Sequence, residues 1–405
     1  MMIYREQYIK KILDFANKPF IKIITGIRRS GKSTILKQIQ EELINSGIEE
    51  KQIIYLNFES FQYSEIKNAK NLYEYISKSV NKNKRSYLFF DEIQNVENWE
   101  KAINSFSVDF DTDIYITGSN SHLLSSELAT YLSGRFVQFT IYPLSFKEYL
   151  DFRRVYGNQD KTDIYKDFLL FLRYGAFPVI HTSDYTIEQA YSIIYDIYTS
   201  VILRDVVQRF KIRDIELLER VVKFIFNNIG HNFSAKRISD YFKAQNRKLD
   251  INTVYNYLNA LESSYIIYRT KRYNIQGKEI LRTNEKYFIG DTSLLYATMG
   301  YKDQFISGMI ENLIFLELKI RGYTVYVGKY DKLEVDFVAE KNGKKIYIQV
   351  AYKITEKQTV EREFKPLLKI KDNYPKYVVT MDEIWSDNID GIEHYHIADF
   401  LLKDF

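Results

Sequence analysis

Residues 26–33 read Gly26-Ile-Arg-Arg-Ser-Gly31-Lys32-Ser33 and match the pattern G-x-x-x-x-G-K-[ST]. The apolar run Phe20–Thr25 precedes the motif, and a helical pattern over residues 33–47 follows it. Between a strand and a helix, the glycines let backbone N–H groups wrap a phosphate, and the helix start adds partial positive charge. The lysine then reaches the β- and γ-phosphates, and the serine ligates Mg²⁺. The predicted nucleotide-binding residues are Gly26, Ile27, Arg28, Arg29, Ser30, Gly31, Lys32, Ser33 and Thr34.

Apolar strand-like runs alternate with helical patterns over the first 150 residues. Apolar strands separated by helices indicate a parallel sheet that is covered on both faces. The pattern therefore predicts an α/β fold for this part of the chain. The predicted strands are Phe20–Thr25, Ile53–Glu59, Tyr87–Glu92, Asp113–Asn120 and Phe136–Leu144.

The third predicted strand ends in the acidic pair Asp91 and Glu92. Such a pair can place Asp91 on a Mg²⁺ ion and Glu92 beside an attacking water. Acidic residues also often begin loops, so the chemical role is favoured only because the phosphate loop lies in the same chain. One strand separates the phosphate-loop strand from the acidic strand along the sequence. This spacing, with a glutamate after the aspartate, favours an ATP-hydrolysing fold with sheet order 5-1-4-3-2.

Three more side chains are candidates to act on the γ-phosphate. Ser119 and Asn120 close the fourth predicted strand and could orient the attacking water. The alternative is that they begin the helix that the following residues predict. Arg135 follows a glycine at the start of the fifth strand, where an arginine could stabilise γ-phosphate charge in a neighbouring subunit. The alternative for Arg135 is an ordinary solvated surface residue.

Composition narrows the class of protein. The 405 residues include 57 Lys+Arg and 53 Asp+Glu, a formal net charge of +4 that neither demands nor forbids nucleic acid. The absence of cysteine excludes disulfides, thiolate metal sites and a cysteine nucleophile. No apolar run reaches the roughly 18 residues of a membrane span, and the opening residues lack a secretory pattern. We therefore expect a cytoplasmic protein that does not act in a membrane.

With these motifs the chain resembles the prokaryotic AAA+/STAND-like P-loop ATPases. The more specific matches are GSNS at 118–121, LSGR at 132–135, YPLSFKEYL at 142–150, EVDFV at 334–338 and IQVAY at 348–352. The resemblance covers nearly the whole chain. It implies a winged-helix region and a C-terminal domain of unknown function related to restriction-endonuclease folds. The expected domains are an ATPase core (1–150), a helical lid or linker (151–210), a winged-helix region (211–285) and a degenerate nuclease-like domain (286–405).

The middle block has three helical stretches followed by strand-like runs, which is the order of a winged helix. Its recognition helix would be Asn252–Leu261, with Thr253, Asn256, Tyr257 and Asn259 on or near the exposed face. That face carries no Arg or Lys, which weakens sequence-specific DNA readout. The alternative is a rigid lid or a protein-contact module. The DNA-binding candidates are Lys236, Arg237, Arg269, Lys271 and Arg272, with Lys243, Arg247 and Lys248 nearby.

The restriction-nuclease resemblance implies remnants of a Mg²⁺ site at Glu311, Asp336 and Gln349. Two departures count against cleavage. Gln349 stands where an acid would hold the hard cation, and Ala351 stands where a lysine would be. Lys353 lies two residues on, along the same predicted strand face. We therefore expect little or no nuclease activity and a fold retained for binding nucleic acid or a partner.

The five histidines are scattered, and the closest pair, His394 and His396, suggests no metal site. The resulting hypothesis is a homo-oligomeric, Mg²⁺-dependent ATPase that binds ATP and ADP and acts as a switch or motor on duplex DNA. A signalling scaffold that binds a protein partner is the first alternative. A nuclease regulated by the ATPase is the second.

Overall fold

The computed structural model describes residues 3–81, 83–121, 132, 134–157, 163–247, 249–354, 357–382 and 388–404, with the backbone alone at 282–284 and 357–359. The chain forms two compact units, Met1–Tyr142 and Pro143–Phe405, called here the amino-terminal and the carboxy-terminal unit. The finer domain boundaries stay predictions. Within the described residues, no helix is long and apolar enough to cross a membrane.

The amino-terminal unit alternates strands and helices, as the sequence pattern predicts. Its elements are α1 (Glu6–Leu13), β1 (Ile21–Thr25), α2 (Lys32–Asn45), β2 (Ile53–Asn57), α3 (Ala69–Ser79), β3 (Ser86–Asp91), α4 (Trp99–Asp109), β4 (Thr112–Gly118) and β5 (Phe136–Thr140).

Five of the described strands form one parallel sheet in the order β2-β3-β4-β1-β5. Read from the other edge, this is the predicted order 5-1-4-3-2, and the predicted α/β fold is confirmed. β1 and β3 are buried at every position. Burial on both faces explains why their sequences are nearly continuous apolar runs. Since the strands are parallel, their carboxyl ends meet at one edge of the sheet.

Apolar stripes on the helices cover the two faces of this sheet. On α2, Ile35, Leu36, Ile39 and Leu43 follow helical spacing and pack with α1 over one face. Side chains of α3 and α4, Phe106 among them, pack over the other face. Each fully buried large apolar side chain contributes about 1.5–3 kcal/mol to folding. The two layers therefore stabilise the sheet whose carboxyl edge carries the phosphate loop.

The carboxy-terminal unit begins with helices. Its helices are α5 (Phe146–Tyr156), α6 (Ile164–Tyr174), α7 (Ile187–Ser200), a π-helix (Val201–Gln208), α8 (Ile215–Asn227), α9 (Ala235–Ala244), α10 (Ile251–Ser263), α11 (Thr292–Met299), α12 (Ile306–Ile320), α13 (Lys357–Lys369) and α14 (Ile397–Leu402).

Eight described strands of this unit form a second sheet, in the order β13-β12-β11-β10-β9-β7-β8-β6. The strands are β6 (Asn232–Phe233), β7 (Ile267–Asn274), β8 (Glu279–Ile289), β9 (Thr324–Tyr330), β10 (Leu333–Lys341), β11 (Lys344–Val350), β12 (Lys376–Thr380) and β13 (Glu393–His396).

The three helices α8, α9 and α10 precede the antiparallel pair β7–β8, in the predicted order of helices and hairpin. The winged-helix interpretation itself stays a prediction. β8 runs across the expected boundary between residues 285 and 286, and β7 pairs with β9 of the following segment. The hairpin and the later strands are therefore parts of one sheet.

Candidate functional site

The carboxyl edge of the amino-terminal sheet gathers most of the predicted site residues. β1 leads into the phosphate loop, β3 ends at Asp91, and β4 ends just before Ser119 and Asn120. β4 pairs with both β1 and β3, so its end lies between the loop and the acidic pair. The parallel topology is what brings these separate sequence motifs together.

Two glycines shape the loop. Gly26 has φ of +143°, and a Cβ built on it would lie 2.1 Å from the backbone oxygen of Ile141. Gly31 has φ of +97° and sits at the N-cap of α2. Both positions favour glycine because φ is positive. At Gly26 the close backbone of Ile141 also leaves no room for a Cβ. Arg29 also takes a left-handed φ of +69°. Non-glycine residues in this region are strained, and such strain concentrates at functional sites.

Lys32 lies buried inside the loop. Its Nζ donates hydrogen bonds to the backbone oxygens of Gly26 at 3.0 Å and Ile27 at 3.2 Å. It also lies 3.9 Å from Glu92 Oε1. The Ser30 hydroxyl is buried, with no hydrogen-bond partner among the residues that the structure describes. A cradle of backbone groups with a lysine and an unsatisfied hydroxyl fits a phosphate group.

A threonine from β4 positions the acidic pair. The buried Thr117 Oγ1 donates to Asp91 Oδ1 and accepts from the Glu92 backbone N–H at 3.0 Å. Tyr55 donates to Asp91 Oδ2 at 3.0 Å, and burial together with the Asp91 charge raises the pKa of Tyr55 above its usual value. Glu92 has φ of +54°, so its backbone is also left-handed. Thr117 thus holds the side chain of Asp91 and the backbone of Glu92 in place.

The Glu92 carboxylate has a second neighbour in Gln94. The Gln94 side-chain amide donates to Glu92 Oε2. Its own Oε1 is buried and has no partner within the described part of the chain. One oxygen of Glu92 therefore faces Lys32 and the other is held by Gln94.

Ser119 and Asn120 are both fully buried at this edge. The helix that the sequence predicts after them lies outside the described residues, so the helix-cap alternative stays open there. Ser33 and Thr34, in the first turn of α2, are half-buried. Arg28 pairs with Glu59 at 2.9 Å.

Arg135 lies at the other end of the sheet. Ile21 at the start of β1 pairs with Phe136, and the Ile21 N–H donates to the Arg135 backbone oxygen at 2.8 Å. The Arg135 guanidinium is exposed and donates to Asn104 at 2.9 Å. The loop lies at the opposite end of β1, so Arg135 does not reach the phosphate loop of its own chain.

Sequence motifs did not identify Thr117, Tyr55, Gln94 or Arg5 as parts of this site. Arg5 is buried before α1 and donates to the backbone oxygens of Ser30 at 2.8 Å and Tyr142 at 3.1 Å, bracing the loop from behind. Thr117 stands two residues before Ser119 and Gln94 two residues after Glu92. For Thr117 and Gln94, this closeness to the motifs is the sequence signal that could have indicated them.

The candidate DNA-binding residues of the carboxy-terminal unit fall into two groups. Lys236 and Arg237 on α9 and Lys271 on β7 are exposed. Arg269, which is also exposed, and the half-buried Arg272 face acids: Arg269 lies 3.3 Å from Glu262 and 3.8 Å from Glu285, and Arg272 lies 3.8 Å from Glu334. Lys243 is also exposed, Arg247 pairs with Glu216 at 3.2 Å, and Lys248 lies outside the described residues.

One expectation for α10 is wrong. Tyr257 is buried, 6% exposed, and its hydroxyl donates to the backbone oxygen of Asp214 at 3.3 Å. It belongs to the apolar stripe with Val254, Leu258 and Leu261, which face the core at helical spacing. Asn256 and Asn259 are exposed as expected, and Thr253 is half-buried.

The three nuclease-like remnants do come together. Glu311 on α12, Asp336 on β10 and Gln349 on β11 line one cavity of about 420 Å³. Gln349 lies opposite Asp336 on the neighbouring strand. Its side-chain oxygen accepts a long hydrogen bond of 3.4 Å from the Asp336 N–H, and its side-chain amide donates to Glu363 at 2.9 Å. β11 ends at Val350, so Lys353 lies beyond the strand rather than on its face, exposed at the cavity wall.

A lysine that the sequence motifs did not indicate reaches this cluster. Lys286 on β8 is 1% exposed, and its Nζ lies 2.6 Å from Glu311, 3.3 Å from Glu334 and 3.5 Å from Asp336. Burial alone would lower the pKa of Lys286, but the three carboxylates together raise it above its usual value. The ammonium is therefore held in its charged form.

The paired histidines have structural partners. Thr380 Oγ1 and His394 Nε2 are 2.7 Å apart, and His396 accepts from the Ala398 N–H at the start of α14. Among the described residues, no group of three or more His, Cys, Asp or Glu side chains is arranged to hold a metal ion.

Comparison with known proteins identifies relatives of the whole chain. Residues 18–150 match the family described as AAA domain, and residues 165–304 match a domain of unknown function. An uncharacterized protein of Haemophilus influenzae is 40% identical over 403 residues, which is 99% of each chain. An uncharacterized protein of Methanocaldococcus jannaschii is 33% identical over 363 residues, 87% of this chain and 79% of that one. A solved Walker-type ATPase of Pyrococcus abyssi is 15% identical, covers 74% of this chain and 96% of its own, and gives a TM-score of 0.49.

The expected AAA resemblance is confirmed by the family match, and the sheet order agrees with it. The resemblance of the last segment to restriction endonucleases stays a prediction. The chain belongs to the same protein family as these Haemophilus influenzae and Methanocaldococcus jannaschii proteins, and its residues 18–150 are an AAA domain with a P-loop ATPase fold.

Proposed function

We propose that this protein is a cytoplasmic Mg²⁺-dependent ATPase whose cycle serves as a switch or motor step on duplex DNA. The observation that carries the ATPase part is the position of Lys32, which lies in the phosphate loop and 3.9 Å from Glu92. The two side chains that the reaction needs, a phosphate-binding cation and a general base, thus share one buried corner.

Binding is assigned to the loop and to the start of α2. Backbone N–H groups of residues 26–31 and the Lys32 ammonium would hold the phosphates. Ser33 and Asp91 would hold Mg²⁺, which supplies charge neutralisation to the phosphate oxygens. Lys32 now caps the carbonyls of Gly26 and Ile27, so nucleotide binding would exchange these neutral acceptors for charged ones.

Glu92 is assigned the role of general base. A carboxylate within hydrogen-bond reach of the attacking water takes its proton as the water attacks. Ser119 and Asn120 would orient that water. Gln94 holds the Glu92 side chain in the nucleotide-free site. Arg135 would act on the site of a second copy of the chain, since it lies at the far end of its own sheet. This assignment requires a homo-oligomer.

The DNA part of the proposal rests on the exposed cations Lys236, Arg237 and Lys271. Such side chains bind phosphates without reading sequence. A second candidate, a scaffold that binds a protein partner, is favoured by the pairing of Arg269 and Arg272 with acids of the same unit. That pairing removes part of the basic surface that DNA would use.

Steady-state ATP hydrolysis with and without duplex DNA, at two salt concentrations, tests the proposal. We expect Mg²⁺-dependent turnover that DNA stimulates and salt suppresses, because phosphate contacts release counterions. Turnover that ignores DNA at both salt concentrations would favour the scaffold. Failure of the wild-type chain to hydrolyse ATP under any of these conditions would contradict the ATPase assignment itself.

A further inference from the structure

The carboxy-terminal unit buries one ammonium among three carboxylates. Lys286 Nζ lies within 3.5 Å of an oxygen of Glu311, Glu334 and Asp336. The carboxylates come from α12 and from β10, and the lysine comes from β8. In the sheet, β9 and β7 lie between β10 and β8. Lys286 therefore joins elements that are not strand neighbours.

Other protein groups also contact the carboxylates of Asp336 and Glu334. Asp336 Oδ2 accepts from the Val350 N–H at 2.9 Å. Glu334 accepts from the Asn232 side-chain amide and lies 3.8 Å from Arg272. Protein groups thus supplement Lys286 at Asp336 and Glu334.

Charge explains why a cation is needed at this place at all. Glu311 is buried and Asp336 is mostly so, and a buried carboxylate without a counter-charge would cost several kcal/mol. Hard divalent cations are one common solution for such oxygen clusters, and a paired ammonium is another. In this chain the ammonium is supplied by the protein itself, from a strand that precedes both carboxylate-bearing elements.

We propose that Lys286 is a built-in counter-ion that takes the place of a divalent metal ion in this cluster. The cluster is then a metal-free joint that fastens the β7–β8 hairpin to α12 and β10, and it is no hydrolytic centre. The inference is independent of the proposed ATPase function, because all its residues lie in the carboxy-terminal unit.

The neighbouring cavity makes the proposal testable. Glu311 and Asp336 line this cavity of about 420 Å³, so small cations can approach the cluster. What keeps them out is then the charge of Lys286 rather than a closed surface. Removing that charge converts the joint into a cation site.

The test is Mn²⁺ binding to the full-length, nucleotide-free chain, followed by electron paramagnetic resonance. We expect Lys286→Ala to bind one more Mn²⁺ per chain than wild type. At Mn²⁺ concentrations up to about tenfold the Kd of that new site, the wild-type cluster should bind none, a difference in affinity of more than about 1.4 kcal/mol. The extra ion should be lost in the double variant Lys286→Ala/Asp336→Asn. Mn²⁺ should also raise the melting temperature of Lys286→Ala and leave that of wild type unchanged.

Lys286→Arg is the matched control, since it keeps the positive charge and should bind no extra ion. Two results would overturn the proposal. One is Mn²⁺ binding by the wild-type chain that Asp336→Asn abolishes, or metal-dependent DNA cleavage that this substitution abolishes. The other is a folded Lys286→Ala chain that gains no Mn²⁺. If Lys286→Ala does not fold, Lys286→Gln replaces it. If neither variant folds, the wild-type and Asp336→Asn titrations decide, and equal Mn²⁺ binding by these two chains supports the proposal.

Discussion

Thr117 donates a hydrogen bond to the side chain of Asp91, and the same oxygen accepts one from the backbone N–H of the next residue. A single buried hydroxyl on β4 thereby sets the position of both acids at the end of β3. Neighbouring parallel strands make this possible, because their carboxyl ends meet at one edge of the sheet.

Thr117→Val should therefore slow ATP hydrolysis more than it weakens ATP binding. Valine has nearly the same shape but leaves the Glu92 N–H and one Asp91 oxygen without their partner. The two unsatisfied groups should cost about 1–3 kcal/mol of stability each. Because Asp91 and Glu92 are then less well placed for the reaction, kcat should fall about 10- to 100-fold while KM for ATP changes little. Thr117→Ser restores the hydroxyl and should recover most of the rate. An equal loss in Thr117→Ser would show that the methyl packing matters instead.

Lys32→Ala should weaken nucleotide binding. A hydrogen bond between a charged donor and a phosphate is worth about 1.5–3 kcal/mol, which corresponds to roughly a 10- to 150-fold rise in Kd. Isothermal titration with ATP measures the change. Lys37→Ala is the control, since Lys37 lies exposed on the same helix. Wild-type affinity in Lys32→Ala would remove the loop from the account.

Arg135→Ala should lose activity that a second chain can restore. Arg135 lies at the sheet end opposite the phosphate loop, so it can serve only a neighbour's site. Mixing Arg135→Ala with the hydrolysis-deficient Glu92→Gln chain places an intact arginine beside an intact glutamate in mixed oligomers. The mixture should hydrolyse ATP faster than either variant alone. No gain at any ratio, with both chains assembled, would argue against the role in trans.

His181 should stay neutral in the folded protein well below neutral pH. Burial lowers its pKa from 6.5 to about 4, and its Nε2 lies 2.8 Å from the backbone oxygen of Gly175. The unfolded chain then binds a proton that the folded chain refuses, so stability falls as pH drops from 6.5 towards 4. The full effect is about 3 kcal/mol.

Two measurements check this pH dependence. NMR titration of the His181 ring should give a midpoint near pH 4. Urea unfolding should show a loss of stability between pH 7 and pH 4.5 that is smaller in His181→Gln. A His181 midpoint near its ordinary value would contradict the burial argument.

The fold of the amino-terminal unit was predictable because its evidence is local. The phosphate loop is one continuous motif, and apolar runs such as Tyr87–Asp91 announce buried strands without reference to the rest of the chain. The strand order followed from the position of one strand between two motifs. These signals depend on nearest neighbours along the sequence, which sequence patterns describe well.

The supporting contacts were not predictable in the same way. Thr117 meets Asp91 only because β3 and β4 pair in a particular register. Lys286 meets Asp336 although β9 and β7 lie between their strands in the sheet, and no pattern along the sequence indicates that approach. The error at Tyr257 has a simpler cause. The exposed face of α10 was placed a fraction of a turn away from its true position, so a residue of the buried face was expected to be exposed.

The central claim is that Glu92 is the base of an ATP-hydrolysing site, and Glu92→Gln tests it most directly. The amide keeps the size of the side chain and its contact with Gln94 but cannot accept a proton. ATP affinity by titration should stay within about threefold of wild type, well under 1 kcal/mol. Single-turnover hydrolysis should fall by about 10²- to 10⁴-fold. An unchanged rate in the folded variant would contradict the account.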